Sequence, residues 1–217
     1  MSNNLKELIT DINKLSEWCI EIDTRKEGKL VQEIVLSLKE TMRKNNFVYL
    51  TAPQVGYNRR IFCMRFGKND YRTFINPLIE NNTGFTFARE TCNSIPNKTF
   101  IIPRFSNVKA YFTTPLGKVE STVLNGLSAQ VFQHCLEHLN GMLVSDIGLE
   151  IDEMFDNATD EERAEVLKLY AESLDIKQKQ LEEEIAKDDS LKDIVDATKF
   201  INSVRFGETM IENSLDD

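Results

Sequence analysis

Apolar positions along the chain change their period from one stretch to the next. Over residues 5–21, Leu5, Leu8, Ile9, Ile12 and Leu15 recur at mixed threes and fours, which predicts a helix. Residues 29–44 do so more cleanly, with Leu30, Ile34, Leu36, Leu38 and Met42 set among lysines and glutamates. From residue 46 the texture shortens. Residues 47–50 and 60–64 read as strands on either side of the turn residues Gly56, Tyr57 and Asn58. More short strands are predicted at 72–77, 84–87, 100–102, 108–112 and 118–123, the last two joined by Pro115, Leu116 and Gly117. Helical period returns at 127–140, and Gly141 sits where that helix would stop. In the tail, Leu167, Leu174 and Leu181 lie seven apart behind a candidate cap at Asp160. A break is expected at 188–190, and then a second helix bearing Leu191, Ile194, Thr198 and Ile201. The order predicts an α+β fold: mixed short β-sheets around one central helix. Its domain would span 1–150, with N-terminal helices over 1–45 and a core over 46–150. An acidic helical extension would follow over 151–217.

Charge sharpens that division. The net charge of the chain is −9, but residues 1–150 hold 18 Lys and Arg against 15 Asp and Glu. Residues 151–217 hold 8 against 20. An acidic extension repels phosphate backbones, so nucleic acid is not an expected partner. Its seven-residue apolar repeat suits a protein partner better, or packing on its own core. With 41% hydrophobic residues in 217, the chain can bury a substantial core. No apolar run is long enough to span a membrane, and the first residues lack the apolar stretch of a signal peptide. Four cysteines at this length fit free thiols in a reducing compartment, so a cytoplasmic location is expected.

The only two histidines, His134 and His138, are four apart on the best-defined helix of the core. Positions i and i+4 leave a helix on the same face, the arrangement that offers two imidazoles to one metal ion. Alone, that spacing is a weak signal. Its context is Gln133-His134-Cys135-Leu136-Glu137-His138, preceded by Glu90-Thr91-Cys92-Asn93-Ser94 and, earlier, by Leu50-Thr51-Ala52-Pro53-Gln54.

Together these stretches resemble the three motifs of peptide deformylases, in the right order and at the right spacings, over residues of about 30 to about 150. The resemblance implies one divalent metal, Fe2+ or Zn2+, held by Cys92, His134 and His138. It also implies that the side-chain amide of Gln54 and the backbone N–H of Asn93 stabilise the oxyanion of a tetrahedral intermediate. The family's substrate is the N-formyl-Met end of a new polypeptide, from which the formyl group is hydrolysed. Glu137 falls where the family has an aspartate that orients a ligand histidine, and Glu90 and Arg104 are candidates for a supporting buried ion pair.

The sequence departs from the family at the residue that does the proton transfer. Where deformylases have a glutamate after the first histidine, this chain has Cys135. A thiol is a poor general base unless its pKa is lowered, and Glu137 lies on the other side of the helix face. Cys135 could instead be a small packed residue or a fourth metal ligand. Phe47, Tyr49 and Thr91 occupy positions where the family has glycines that let the peptide lie close. These changes predict a catalytically impaired metalloprotein acting as a binding or structural module. The alternative is an active metal-dependent deformylase or amidohydrolase with an atypical site.

Overall fold

The computed structural model describes residues 5–187. The chain divides into two compact units, one ending at Ile151 and the other beginning at Asp152.

The N-terminal stretch is not the helix its spacing predicts. One short turn, α1 (Ile12–Leu15), capped by Asp11, is all that forms. The backbone groups that a helix would use go to other elements. Ile9 N–H donates to the Gln54 carbonyl at 2.9 Å, and Cys19 N–H to the Leu139 carbonyl at 3.0 Å. Leu15, Cys19 and Ile22 are nevertheless buried, so the apolar residues reach the core through an irregular path.

Helix α2 (Gly28–Asn45) forms as its spacing predicts and stops where Asn46 takes a left-handed conformation (φ 56°) that returns its N–H to the Met42 carbonyl. Val31, Ile34, Leu38 and Met42 are buried, whereas Leu36 is exposed. The buried stripe packs with Leu50, Ile61, Cys63 and Ile75 of the sheet.

All six strands of that sheet pair antiparallel. β1 (Tyr49–Thr51) pairs β2 (Ile61–Arg65), which pairs β3 (Tyr71–Cys92). The short strands predicted at 72–77 and 84–87 are one long strand. Likewise those at 100–102 and 108–112 belong to β4 (Ile95–Thr113). Between the two predicted strands, a register shift between Ile79 and Asn81 and a positive φ of 69° at Gly84 bend β3 without ending it. β5 (Val119–Asn125) and β6 (Leu149–Ile151) pair the two ends of β4, over Asn107–Thr113 and Thr99–Ile101. Between those two partners lies Pro103, paired on one side to Phe87. Proline's missing N–H is tolerated there because no second strand needs it.

Helix α3 (Leu127–Leu139) crosses this sheet, with every residue from Phe132 to Leu139 buried. Phe132 meets Phe62 and Phe74 edge-on, with centroids at 5.2 and 5.4 Å. Gln133 takes the role of a missing strand. It accepts the Phe105 N–H at 3.0 Å and donates to the Phe105 carbonyl at 2.9 Å. At the far end, the Leu139 carbonyl receives both Cys19 N–H and Arg60 Nη1 (3.1 Å). Gly141 then turns the chain at φ 68°, where a Cβ would lie 2.5 Å from the Ser16 carbonyl oxygen, so only glycine fits. One further turn, α4 (Val144–Ile147), leads into β6.

The second unit contains α5 (Glu153–Asn157), capped by Asp152, and α6 (Asp160–Lys187). Thr159, not Asp160, caps α6: its hydroxyl accepts the Glu162 N–H at 3.2 Å while Glu162 accepts the Thr159 N–H at 2.8 Å. The predicted break at 188–190 and the helix beyond it lie outside the described residues. Among the described residues, no helix is long and apolar enough to cross a membrane.

Candidate metal centre

Strand β3 and helix α3 bring three sequence-distant side chains to one point. Cys92 ends β3 just before the two-residue turn Asn93–Ser94, and α3 carries His134 and His138 one turn apart. The ligand atoms of all three lie within 4.8 Å of one another, and all three residues are buried. Cys92 Sγ is 3.3 Å from His138 Nε2. Two donor atoms about 2.0–2.3 Å from one ion stand at about this separation.

The two histidines are held in different protonation states. Burial, reinforced by the neighbouring His134, drives His138 well below the ordinary histidine range, so its ring is neutral. His138 Nδ1 is buried and has no hydrogen-bond partner. His134 behaves oppositely. Burial alone would lower it, but hydrogen bonds to Cys92 and Glu90 push it up to about 9. Glu90 Oε2 accepts from His134 Nδ1 at 2.9 Å, which fixes the ring so that Nε2 is the nitrogen left for an ion.

Behind the histidines is a buried carboxylate–guanidinium chain. Arg104 donates to Glu90 through Nε (2.7 Å) and Nη2 (2.9 Å), and to Glu137 through Nη1 and through Nη2 (2.8 Å). Burial would strip the charge from Arg104, but Glu137 and Glu90 outweigh it. Burial would also raise Glu90, yet Arg104 and His134 hold it down at about 2. Glu137 was expected to orient a ligand histidine. Glu137 grips Arg104, and the carboxylate that orients a histidine is Glu90.

Gln54 is fully buried beside Cys92. Its Oε1 accepts from Thr51 N and Oγ1 (both 3.0 Å), which turns Nε2 toward Ser94 Oγ (3.1 Å) and Cys92 Sγ (3.9 Å). Asn93 occupies the turn after Cys92. Cys135 is completely buried, and its thiol is raised well above its usual range by that burial, then by Cys63, Cys92 and the two carboxylates. The thiol is held in its neutral form.

One contact was not anticipated. The Tyr49 hydroxyl stands 2.9 Å from His134 Nε2 and donates to the Thr91 carbonyl at 3.1 Å. Tyr49 was expected to crowd a groove, but no local pattern relates a strand residue to a ring 85 positions away. Phe47 instead packs against the α2 core.

A model of the polypeptide deformylase family matches residues 7–152. The chain belongs to the peptide deformylase family. The peptide deformylase of Dictyoglomus turgidum is 32% identical over 146 residues, which cover 66% of this chain and 95% of the relative. That of Thermotoga neapolitana is 37% identical over 130 residues, covering 56% and 79%. Among solved structures, a class I type b peptide deformylase from Acinetobacter baumannii bound to Met-Ala-Ser matches with a TM-score of 0.61 at 24% identity, covering 67% of this chain and 99% of that one. A peptide deformylase from Legionella pneumophila matches at 0.60 and 22%, covering 82% and 97%. These structures share the fold, and the deformylase family uses a metal. The cysteine and paired histidines of this deformylase-family chain, gathered and buried together, are chemically suited to hold one.

Proposed function

We propose that this chain is a metal-holding member of the deformylase family in which deformylation is disabled, so that it serves as a binding or structural module. Cys92 Sγ, His134 Nε2 and His138 Nε2 would hold one Fe2+ or Zn2+. A bound ion would polarise a carbonyl and acidify water. Gln54 would steady charge that develops on the formyl oxygen, and Asn93 would add its backbone N–H. The Cys135 thiol, held neutral, cannot carry the proton onward. The observation that supports impairment is the buried, neutral thiol of Cys135 where the family has a glutamate. Losing a general base costs about 10²–10⁴-fold in rate.

A second reading, slow hydrolysis of formyl-Met peptides through an atypical site, is favoured by Gln54, which keeps its amide beside Cys92. For a protein partner, the support is in α6, where Val166, Leu169 and Ile176 are exposed. Four free, buried thiols fit a cytoplasmic setting.

The test is turnover of a formyl-Met tripeptide by anaerobically purified protein loaded with ferrous iron, beside Cys135→Glu. The expected outcome is no turnover above free iron for the unmodified chain. Rapid turnover by the unmodified chain would refute the impairment. Rescue by Cys135→Glu alone would trace the loss to that one residue.

A further inference from the structure

Resting on the metal assignment above, we propose that Tyr49 closes the fourth coordination position, so that the centre is a four-donor site with no place for water or substrate. His134 Nδ1 is committed to Glu90, which leaves Nε2 as the ligating nitrogen. Besides Cys92, the Tyr49 hydroxyl oxygen stands at that nitrogen, at 2.9 Å. Two donors about 2.0–2.1 Å from one ion, at angles near 90–110°, stand about 2.9–3.4 Å apart, so this separation suits shared ligation. The hydroxyl donates its hydrogen to the Thr91 carbonyl, which leaves the lone pairs of its oxygen available to an ion.

Access agrees as well. A cleft of about 200 Å³ opens beside the centre, lined by Val48, Tyr49, Thr91, Val131 and His134 among others. Cys92, His138 and Gln54 do not line it. Of the three ligands only His134 lines this cleft, and the Tyr49 ring stands edge-on beside it with centroids 4.8 Å apart. Open catalytic metal sites keep three protein ligands and a replaceable fourth position, whereas structural sites have four. Tyr49 converts the first pattern into the second. It disables the centre independently of Cys135, and restoring a glutamate at 135 would leave the position closed.

Cobalt(II) binding followed by visible absorption tests this without any turnover. The purified full chain is loaded with cobalt(II) and titrated with azide, beside Tyr49→Phe, Tyr49→Gly and Cys92→Ala. The expected result is a thiolate-containing four-coordinate cobalt spectrum in the unmodified chain that azide leaves unchanged. In Tyr49→Phe, which keeps the ring and loses only the oxygen, azide should shift the bands, and Tyr49→Gly should respond as well. An azide-sensitive spectrum in the unmodified chain would overturn the closure while leaving the three-ligand site standing. Tyr49→Phe remaining as azide-insensitive as the unmodified chain would also overturn it, since the oxygen would then not be the closing group. Failure of the unmodified chain to take up cobalt, or uptake unaffected by Cys92→Ala, would overturn the metal assignment and the closure with it.

Discussion

At the scale of single residues, the site is organised by charge taken out of water. Arg104, buried between Glu90 and Glu137, would be costly alone, and each carboxylate would be costly without it. The three hold one another charged, and Glu90 passes that constraint on to His134. The thiols tell the opposite story, because what opposes their burial is too weak to offset it. Burial, opposed by Arg60, raises Cys19 from about 9.0 to about 12. Burial, opposed by the hydrogen bond to Thr73 (3.3 Å), raises Cys63 to about 11. Both native pKa values lie above the unfolded value, so the native state holds these protons after the unfolded chain has released them. Their contribution to stability is complete below pH 9. It falls as pH rises, until Cys63 ionises near 11 and Cys19 near 12. The slope is about 1.4 kcal/mol per pH unit for each thiol. Urea midpoints measured between pH 8 and 10.5 should drop more steeply for the unmodified chain than for a Cys19→Ala, Cys63→Ala double variant. Parallel curves would show that the two thiols are not the source.

Among the elements, α3 was legible in the sequence because its recurrence at threes and fours coincides with what the helix buries. The histidines came with it, since ligand geometry on a helix is a matter of spacing. The hairpin of β3 and β4 was less legible: asparagines at a bend within a strand leave the same trace as those that end one. Residues 5–21 failed for another reason. Their apolar spacing is helical, but their N–H groups are claimed by Gln54 and Leu139 from elsewhere in the chain. Gln133 belongs to this class of long-range pairing. It stands in for a strand beside Phe105, and no periodicity reveals it. Replacing it with leucine keeps the volume and leaves the Phe105 N–H and carbonyl without their partner. Gln133→Leu should therefore lose about 1–3 kcal/mol in urea unfolding. A variant within about 0.5 kcal/mol of the unmodified chain would show that another group, or water, satisfies that edge.

At the scale of the whole molecule, core and charge are divided at nearly the same place. The family match ends at 152, the first compact unit at Ile151, and the acidic balance begins just beyond. The two buried clusters that run from Leu15 to Val144, and the Arg104 network with them, lie wholly in the first unit. A hydrophobic core of that kind is what an independently folding domain requires. A chain ending at Ile151 should then keep a single cooperative thermal transition and bind cobalt(II) as the full chain does. Its net charge should also change sign, from −9 to +3, because residues 151–217 carry 20 acidic against 8 basic side chains and residues 1–150 carry 15 against 18. Circular dichroism melting and the cobalt spectrum of the shortened chain measure the first two expectations. A broad, non-cooperative melt would mean that the core depends on residues beyond Ile151, and that the acidic unit is part of the fold and not an appendage to it.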